Sequence, residues 1–200
     1  MKILAFTDTH GSAIALRRIE RLCRAKNPDI IICCGDVSVF EHGIVGTFRA
    51  LNNLDKPVVM VHGNHESEGT FEKYSRILKN LNFIHKKHLV VDDYLFLGYG
   101  GDGFSIVDRK FEKLVKDFEK TIKENKGKKV ILVTHGPPHK TRLDKLVSTH
   151  CGSKSIRNFI DRNKIDFHFC GHIHENSGKE DKIKNTKVIN PGPFGKVVNV

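Results

Sequence analysis

Aspartate, asparagine and histidine side chains recur directly after short apolar segments of this 200-residue chain. After each of five such segments, a side chain with an oxygen or imidazole donor follows within four residues. Carboxylate, amide and imidazole donors without a thiolate suit divalent ions such as manganese, iron, nickel or zinc. The pattern therefore predicts a metal centre assembled from distant parts of the chain. The candidate ligands are Asp8, His10, Asp36, Asn64, His135, His172 and His174.

The number of candidate ligands predicts two metal ions rather than one. Seven ligands exceed what one tetrahedral or octahedral ion can bind while it also holds a substrate. They suit two ions that share one ligand, and Asp36 is the preferred bridge because a carboxylate bridges naturally. Asp8 and His10 are two residues apart, so both side chains would point the same way on an extended backbone. We expect two divalent ions, manganese first, with nickel, iron and zinc as alternatives.

The charge of such a centre indicates an anionic substrate. Two divalent ions bring four positive charges, and Asp8 and Asp36 cancel two of them. A bridging hydroxide and a phosphodiester monoanion would cancel the other two. Paired metals ~3.5–4 Å apart generate hydroxide near neutral pH and bind the oxygens of an in-line displacement. The leaving oxygen then needs a proton, which His65, beside Asn64, is placed to donate as a general acid.

Three further residues are expected to contact the ligands rather than the ions. Glu66 would orient the imidazole of His65 or the neighbouring loop. His62 and His139 lie close in sequence to ligand-bearing segments and are candidates for the same supporting role. A single histidine at a strand end is more often a surface or core residue, and the remaining ones are interpreted so. These are His42, His85, His88, His150 and His168.

Alternating strands and helices would bring the ligand-bearing segments together. Helices are indicated where apolar residues recur every three or four positions, as after Ser12, which suits a helix N-cap. The helix that opens near Gly69 is expected to continue through Leu81. The predicted strands are 2–6, 29–34, 57–61, 130–133 and 166–170, and the other predicted helices follow Ser12 and occupy 43–54, 108–125 and 153–163.

The apolar strands are typical of a covered sheet, and ligands bind such sheets at the C-terminal ends of the strands. The candidate ligands should therefore share one edge. Residues 88–91 and 94–99 indicate a hairpin, and 187–189 and 196–200 indicate two short strands. The chain is expected to form one α/β domain over residues 1–200, with one mixed sheet or two sheets.

Composition narrows the classes of protein. The net charge is +11, from 34 basic and 23 acidic residues, but the two signs are interleaved, which favours a lysine-rich surface over a nucleic-acid partner. The five cysteines show no C-x-x-C spacing, which argues against a thiolate zinc site. No apolar run approaches the ~20 residues of a membrane span, and Asp8 and His10 interrupt a signal-like start. We expect a cytoplasmic protein without membrane contact and leave its oligomeric state open.

Five sequence blocks resemble the calcineurin-like metallophosphoesterases. The blocks are Asp8-Thr9-His10, Gly35-Asp36, Gly63-Asn64-His65-Glu66, Thr134-His135-Gly136 and Gly171-His172-Ile173-His174, in this order. The resemblance implies a sandwich of two mixed β-sheets flanked by α-helices, with His65 as the catalytic histidine. It also implies one ion held by Asp8, His10, Asp36 and His174 and a second held by Asp36, Asn64, His135 and His172.

The last two blocks look most like a branch of small, uncapped phosphodiesterases. We therefore expect a metal-dependent phosphodiesterase that acts on phosphodiesters, nucleotides among them. A phosphomonoesterase or protein phosphatase and a nuclease are alternatives on the same site. A non-catalytic protein-binding scaffold is least favoured, because family members of that kind typically lose the catalytic histidine, which is present here.

Overall fold

Strands and helices alternate through the first half of the chain, and hairpins are added in the second half. The computed structural model describes residues 1–101 and 103–200. The strands are β1 (Lys2–Phe6), β2 (Ile30–Cys33), β3 (Val58–Met60), β4 (Leu81–Phe83), β5 (His88–Val91), β6 (Tyr94–Tyr99), β7 (Lys129–Thr134), β8 (Lys145–Leu146), β9 (Thr149–His150), β10 (Phe167–Phe169), β11 (Glu180–Ile183), β12 (Thr186–Ile189) and β13 (Lys196–Asn199). The helices are α1 (Ala13–Lys26), α2 (Ile44–Asn52), α3 (Glu68–Ile77), α4 (Arg109–Glu124) and α5 (Lys154–Arg162), with a 3₁₀ turn at His174–Asn176.

Two mixed β-sheets form the centre of the fold. The first has the strand order β13-β1-β2-β3-β4, and the second has the order β11-β12-β10-β7-β6-β5. Neighbouring strands in the middle of each sheet are parallel, and β13, β11 and β5 are antiparallel edge strands. The predicted hairpin is the antiparallel pair β5–β6. The α/β fold with two mixed sheets is thus confirmed.

Alternate residues of each strand face different layers of the core. In β1, Leu4 and Phe6 join a buried cluster with residues of α1, α2 and α3. Ile3 and Ala5 join a second cluster, which contains residues of both sheets, among them Phe96 and Ile131. A third cluster lies between the second sheet and helices α4 and α5. The period of two therefore places the sheets against each other and the helices outside.

Short polar side chains set where several helices begin. Ser12, Ser67 and Ser153 each accept a hydrogen bond from a backbone N–H in the first turn of α1, α3 and α5. Asp108 accepts two such bonds ahead of α4. These caps satisfy N–H groups that a helix end leaves unpaired, and the helices start at or beside the predicted positions.

The predicted extension of the third helix through Leu81 is wrong. Helix α3 ends at Ile77, and Leu81 opens the parallel strand β4. The chain is redirected at Asn80, whose backbone N–H donates to Asn52 Oδ1 at 3.1 Å and whose amide donates to Asn52 O at 2.6 Å. The Asn80 carbonyl in turn accepts from Val58 N at 2.7 Å, so distant partners override the local helical period.

No helix in the described part of the chain has both the length and the apolar character needed to cross a bilayer.

His168 is a core residue whose neutral form the fold accommodates. It is fully buried on β10, and its Nε2 lies 2.8 Å from Thr134 Oγ1. The Thr134 hydroxyl donates to Gly136 O at 2.6 Å, so His168 Nε2–H must donate to that hydroxyl. Nδ1 has no hydrogen-bond partner in the described residues. Burial lowers the pKa of His168 to about 3.

We expect His168→Gln to weaken the acid sensitivity of folding. An unfolded histidine binds a proton below its ordinary pKa of 6.5, whereas folded His168 stays neutral down to about 3, so stability falls as pH decreases through this window. Between pH 7 and pH 5 this loss is ~2 kcal/mol. Urea unfolding of the metal-free protein measures the free energy of unfolding at pH 7 and at pH 5. The decrease between the two should be ~2 kcal/mol smaller in His168→Gln than in the wild type. His88→Gln, at an exposed position, is the control, and equal losses in all three proteins would contradict the assignment.

Candidate metal centre

The candidate ligands lie just beyond the C-terminal ends of five strands, as the sequence predicted. Strands β1, β2 and β3 of the first sheet and strands β7 and β10 of the second lead into them. A continuous series of contacts joins all seven side chains, and the His172 backbone N–H donates to Asp8 Oδ2 at 2.9 Å. The centre therefore lies where the ends of the two sheets meet.

One group of donor atoms gathers around His10. Its Nε2 lies 3.0 Å from His174 Nε2 and 3.7 Å from Asp36 Oδ2. Asp8 Oδ1 lies 3.7 Å from His174 Nε2. One donor atom each from Asp8, His10 and His174 fall within 4.8 Å of one another, which is the spacing of ligands around a single ion.

A second group of donor atoms gathers around His135. Its Nε2 lies 3.0 Å from Asn64 Oδ1, 3.2 Å from His172 Nδ1 and 3.5 Å from Asp36 Oδ2. Asn64 Oδ1 is also 2.9 Å from His172 Nδ1. Asp36 therefore contributes the same oxygen to both groups, and its side chain is almost fully buried.

The hydrogen-bond chemistry of these groups fits bound cations. His135 Nδ1 lies 2.8 Å from the Cys34 carbonyl oxygen, so this nitrogen carries a hydrogen and Nε2 is the nitrogen turned toward Asn64 and His172. Burial lowers the pKa of His172 to about 4, which favours a neutral ring near pH 7. His135 Nε2, His172 Nδ1 and Asn64 Oδ1 therefore lie within 3.2 Å of one another, as ligands around one position would. Asp8 Oδ1 is buried without a hydrogen-bond partner in the described residues, which leaves it available to a cation.

The surrounding charges keep Asp8 ionised. Burial disfavours its charge, but the nearby His174, the field of His135 and the Thr7 hydroxyl outweigh burial and lower the pKa of Asp8. Thr7 Oγ1 donates to Asp8 Oδ2 at 2.8 Å. The proximity of Asp8 in turn raises the pKa of His174. Thr7 was missed by the sequence analysis, although its position next to a candidate ligand is a usable signal.

The extended-backbone premise for Asp8 and His10 is wrong. Asp8 and His10 have φ values of 53° and 46°, and Asp36 and His172 have values of 52° and 70°. All four lie in the left-handed region, which costs a non-glycine residue on the order of 1–3 kcal/mol. The ligands converge because the chain turns sharply after each strand, and the strain occurs at the residues that form the centre.

Two glycines allow the ligand-bearing turns to approach closely. A Cβ atom at Gly63 would overlap the Asp36 carboxylate, and one at Gly171 would overlap Thr7 Oγ1. Any larger residue would push the turn after β3 or β10 away from the turn beside it. Both glycines immediately precede a candidate ligand, so the turns after the strands can meet only with glycine there.

Glu66 binds the loops that carry the ligands rather than the imidazole of His65. Its Oε2 accepts hydrogen bonds from Asp36 N and Gly63 N, both at 3.0 Å. Its Oε1 accepts from Ser38 N at 2.9 Å and from Ser38 Oγ at 3.0 Å. Burial raises the pKa of Glu66, although the donors oppose this. Of the two roles expected for Glu66, the contacts support the one in loop positioning.

The two supporting histidines have different surroundings. His62 follows β3 and packs against His85, with ring centroids 4.6 Å apart, and burial lowers its pKa to about 4. His139 lies beside Asp144, with Nδ1 3.5 Å from Oδ2, and its ring is 5.7 Å from that of His150. His139 thus belongs to a cluster around Asp144, and a contact between either histidine and a metal ligand stays a prediction.

His65 stands at the solvent side of the first group. Its Nε2 lies 4.0 Å from Asp36 Oδ2, and its ring meets that of His10 edge-on at 4.8 Å. The His65 backbone N–H donates to Asp36 Oδ1 at 3.0 Å, which fixes the start of this loop. The side chain is 25% exposed and can therefore be reached by a substrate.

Comparison with known proteins identifies similar sequences. The sequence model of the calcineurin-like phosphoesterase family matches residues 1–176. An uncharacterised protein of Methanocaldococcus jannaschii is 33% identical, over 96% of this chain and 88% of that protein. The residues that match the family model span every candidate ligand.

Solved structures show the same fold at low sequence identity. A dimetal phosphatase from Danio rerio has a TM-score of 0.68 at 11% identity, over 94% of this chain and 86% of that one. An archaeal phosphodiesterase has a TM-score of 0.51 at 19% identity, over 96% of this chain and 84% of that one. At these identities the likeness concerns the fold alone.

We expect Glu66→Gln to weaken metal binding, although Glu66 is not itself a candidate ligand. An amide in place of the carboxylate keeps only one acceptor oxygen and would direct an NH₂ group at a backbone N–H, either at Ser38 or at Asp36 and Gly63. Metal affinity should fall ~10–100-fold. Titration of the metal-free protein with manganese, followed by calorimetry, measures the change. Glu124→Gln, at an exposed position on α4, is the control, and unchanged affinity in Glu66→Gln would rule out the positioning role.

Proposed function

The chain belongs to the calcineurin-like phosphoesterase family, and we propose that it is a dinuclear, metal-dependent phosphodiesterase. The observation that carries the proposal is the position of the Asp36 carboxylate. Asp36 Oδ2 lies 3.7 Å from His10 Nε2 and 3.5 Å from His135 Nε2, between the two groups of donor atoms. A shared carboxylate is the arrangement that two neighbouring divalent ions need.

The two groups divide the candidate ligands between two ions. Asp36 would belong to both; Asp8, His10 and His174 complete the first set, and Asn64, His135 and His172 complete the second. Bound divalent ions supply Lewis-acid activation of water and neutralise charge on the phosphoryl oxygens. We propose manganese as the metal, with nickel, iron and zinc as alternatives that the same donors accept.

His65 is proposed as the general acid. In hydrolysis the oxygen of water forms a bond to phosphorus, the bond from phosphorus to the leaving oxygen breaks, and the leaving oxygen takes a proton. The partly exposed His65 ring lies beside the shared carboxylate, so its proton is within reach of a substrate at the centre. Asp36 holds the His65 backbone through its other oxygen, which limits movement of the acid.

Charge favours a diester over a monoester. Asp8 and Asp36 offset half of the charge of two divalent ions, and a nucleophilic hydroxide with a diester monoanion offsets the rest. A monoester carries one more negative charge, and no lysine or arginine of the described residues forms an ion pair with a candidate ligand. The structural likeness to an archaeal phosphodiesterase supports this choice. A phosphomonoesterase is the second candidate, because a dimetal phosphatase has the same fold.

We propose that residues 1–200 act as one domain, since residues of both sheets share a buried cluster. The candidate ligands also come from both sheets, so neither sheet carries the centre alone.

A cytoplasmic location stays a prediction.

His65→Ala should impair hydrolysis in a way that depends on the leaving group. An alkyl leaving group needs the donated proton, so its turnover should fall ~10²-fold or more. A p-nitrophenyl diester should lose less, because p-nitrophenolate departs with less help. Rates for both diesters and the metal content of the purified variant provide the test, with His88→Ala as the control. An equal loss for both leaving groups, at normal metal content, would contradict the assignment.

Asp36→Asn should lower the metal occupancy of both positions. An amide oxygen carries no negative charge, so it is a poor bridging ligand for two cations. Elemental analysis of the variant after saturation with manganese and gel filtration gives the stoichiometry. Asp93→Asn, at an exposed position in the β5–β6 turn, controls for the loss of one negative charge. Two ions per chain in Asp36→Asn would show that Asp36 does not bridge.

A further inference from the structure

Phe40 is an exposed aromatic residue that lies against the proposed general acid. Its side chain is 70% exposed, and its ring centroid is 4.7 Å from that of His65, with the planes inclined by 38°. Burial of phenylalanine normally stabilises a fold, and this ring is largely left in solvent. The open face of Phe40 therefore borders the space in front of His65.

The backbone under Phe40 is strained. Phe40 and Glu41 have φ values of 47° and 66°, and His42 N–H donates to Val39 O at 3.0 Å. These features define a two-residue turn with both central residues in the left-handed region. Asparagine and glycine are the residues that such a turn favours, because a larger side chain is disfavoured at positive φ. Phenylalanine at this position is not explained by turn formation.

Glu41 fixes the orientation of this turn. Its Oε1 accepts hydrogen bonds from Ser67 N and Ser67 Oγ, both at 2.8 Å, and its Oε2 accepts from Thr70 Oγ1 at 2.9 Å. Ser67 caps α3 and follows His65 by two residues. The turn and the loop that carries the acid are therefore held together, and the Phe40 ring is pre-positioned before a substrate arrives.

We propose that Phe40 is a specificity residue that stacks on a planar aromatic group of the leaving alcohol, with nucleosides as the substrate class. The inference rests on the proposed function, because His65 donates its proton to the leaving oxygen and Phe40 lies against His65. Base stacking on an aromatic side chain is favourable for every nucleobase. Phe104 is 58% exposed, and its ring centroid lies 4.1 Å from that of His172, so it borders the other group of candidate ligands.

Kinetics of Phe40→Ala and Phe40→Leu test the stacking contact. Two diesters are compared that differ only in the leaving alcohol, adenosine in one and methanol in the other. We expect kcat/KM for the adenosine diester to fall about tenfold more than for the methyl diester, mainly through KM. Phe40→Leu keeps apolar bulk and loses the flat ring, so it should show the same preference change. If Phe40 only positioned His65, kcat would fall equally for both diesters, and the proposal would be overturned.

A binding measurement separates this inference from the phosphodiesterase assignment. The chain contains no tryptophan, so Phe40→Trp introduces a single indole whose emission can be excited separately from that of the three tyrosines. In the manganese-loaded variant, adenosine monophosphate should quench its emission and ribose 5-phosphate should not. Ile77→Trp is the control, because Ile77 is exposed at the far end of the ten-residue helix α3, ~15 Å from Ser67.

The outcomes of the two measurements are distinguishable. Quenching by adenosine monophosphate without hydrolysis of any diester would support the aromatic site and refute the proposed activity. Hydrolysis of diesters without selective quenching would refute the stacking role and leave the activity intact.

Thermal unfolding of Phe40→Gly tests whether the Phe40 ring contributes to the stability of the fold or to substrate preference. Glycine relieves the left-handed strain, so Tm should rise by about 2–4 °C while the preference for the adenosine diester is lost. An unchanged preference for the adenosine diester in this variant would overturn the proposal.

Discussion

The burial of the Asp36 carboxylate is the constraint on which this structure depends. Asp36 is 2% exposed, and the imidazoles of His10 and His135, rather than lysine or arginine, lie around its outer oxygen. Burial of a charge is costly unless a partner compensates it. The protein places Asp8 and several further donor atoms around the same space. This arrangement favours a bound cation over a bound water molecule. The convergence of strands from both sheets serves this arrangement.

The surrounding backbone is arranged before any ion binds. Four candidate ligands sit in left-handed turns, and their strain is sustained because other contacts fix the loops. Glu66 bonds to the loops after β2 and β3, and Gly63 leaves space for the Asp36 side chain. Such loops need not reorganise when the ions bind, so less of the binding free energy is spent on ordering. The same principle applies to the turn at Phe40, which Glu41 holds against the loop of His65.

Much of the fold and the convergence of the candidate ligands could be predicted from sequence because both depend on local patterns. Apolar runs followed by polar turns place the ligands at strand ends, and the ends of parallel strands meet. The remainder depends on contacts between distant residues. Leu81 continues a helical period by coincidence, and only the bonds between Asn80 and Asn52 reveal the strand. Glu66 has four donors from separate segments, and the left-handed φ at Asp8 depends on packing that no spacing rule includes.

Because each sheet supplies part of the candidate ligand set, occupancy of the proposed centre would also affect the lifetime of the folded chain. Ions that bind only the native arrangement shift the folding equilibrium by mass action. They would connect the ends of β1, β2 and β3 to those of β7 and β10, so that one half could not open independently of the other. Local opening at this end is what a protease would exploit. Depletion of the metal would therefore remove catalysis and hasten degradation of the same molecules.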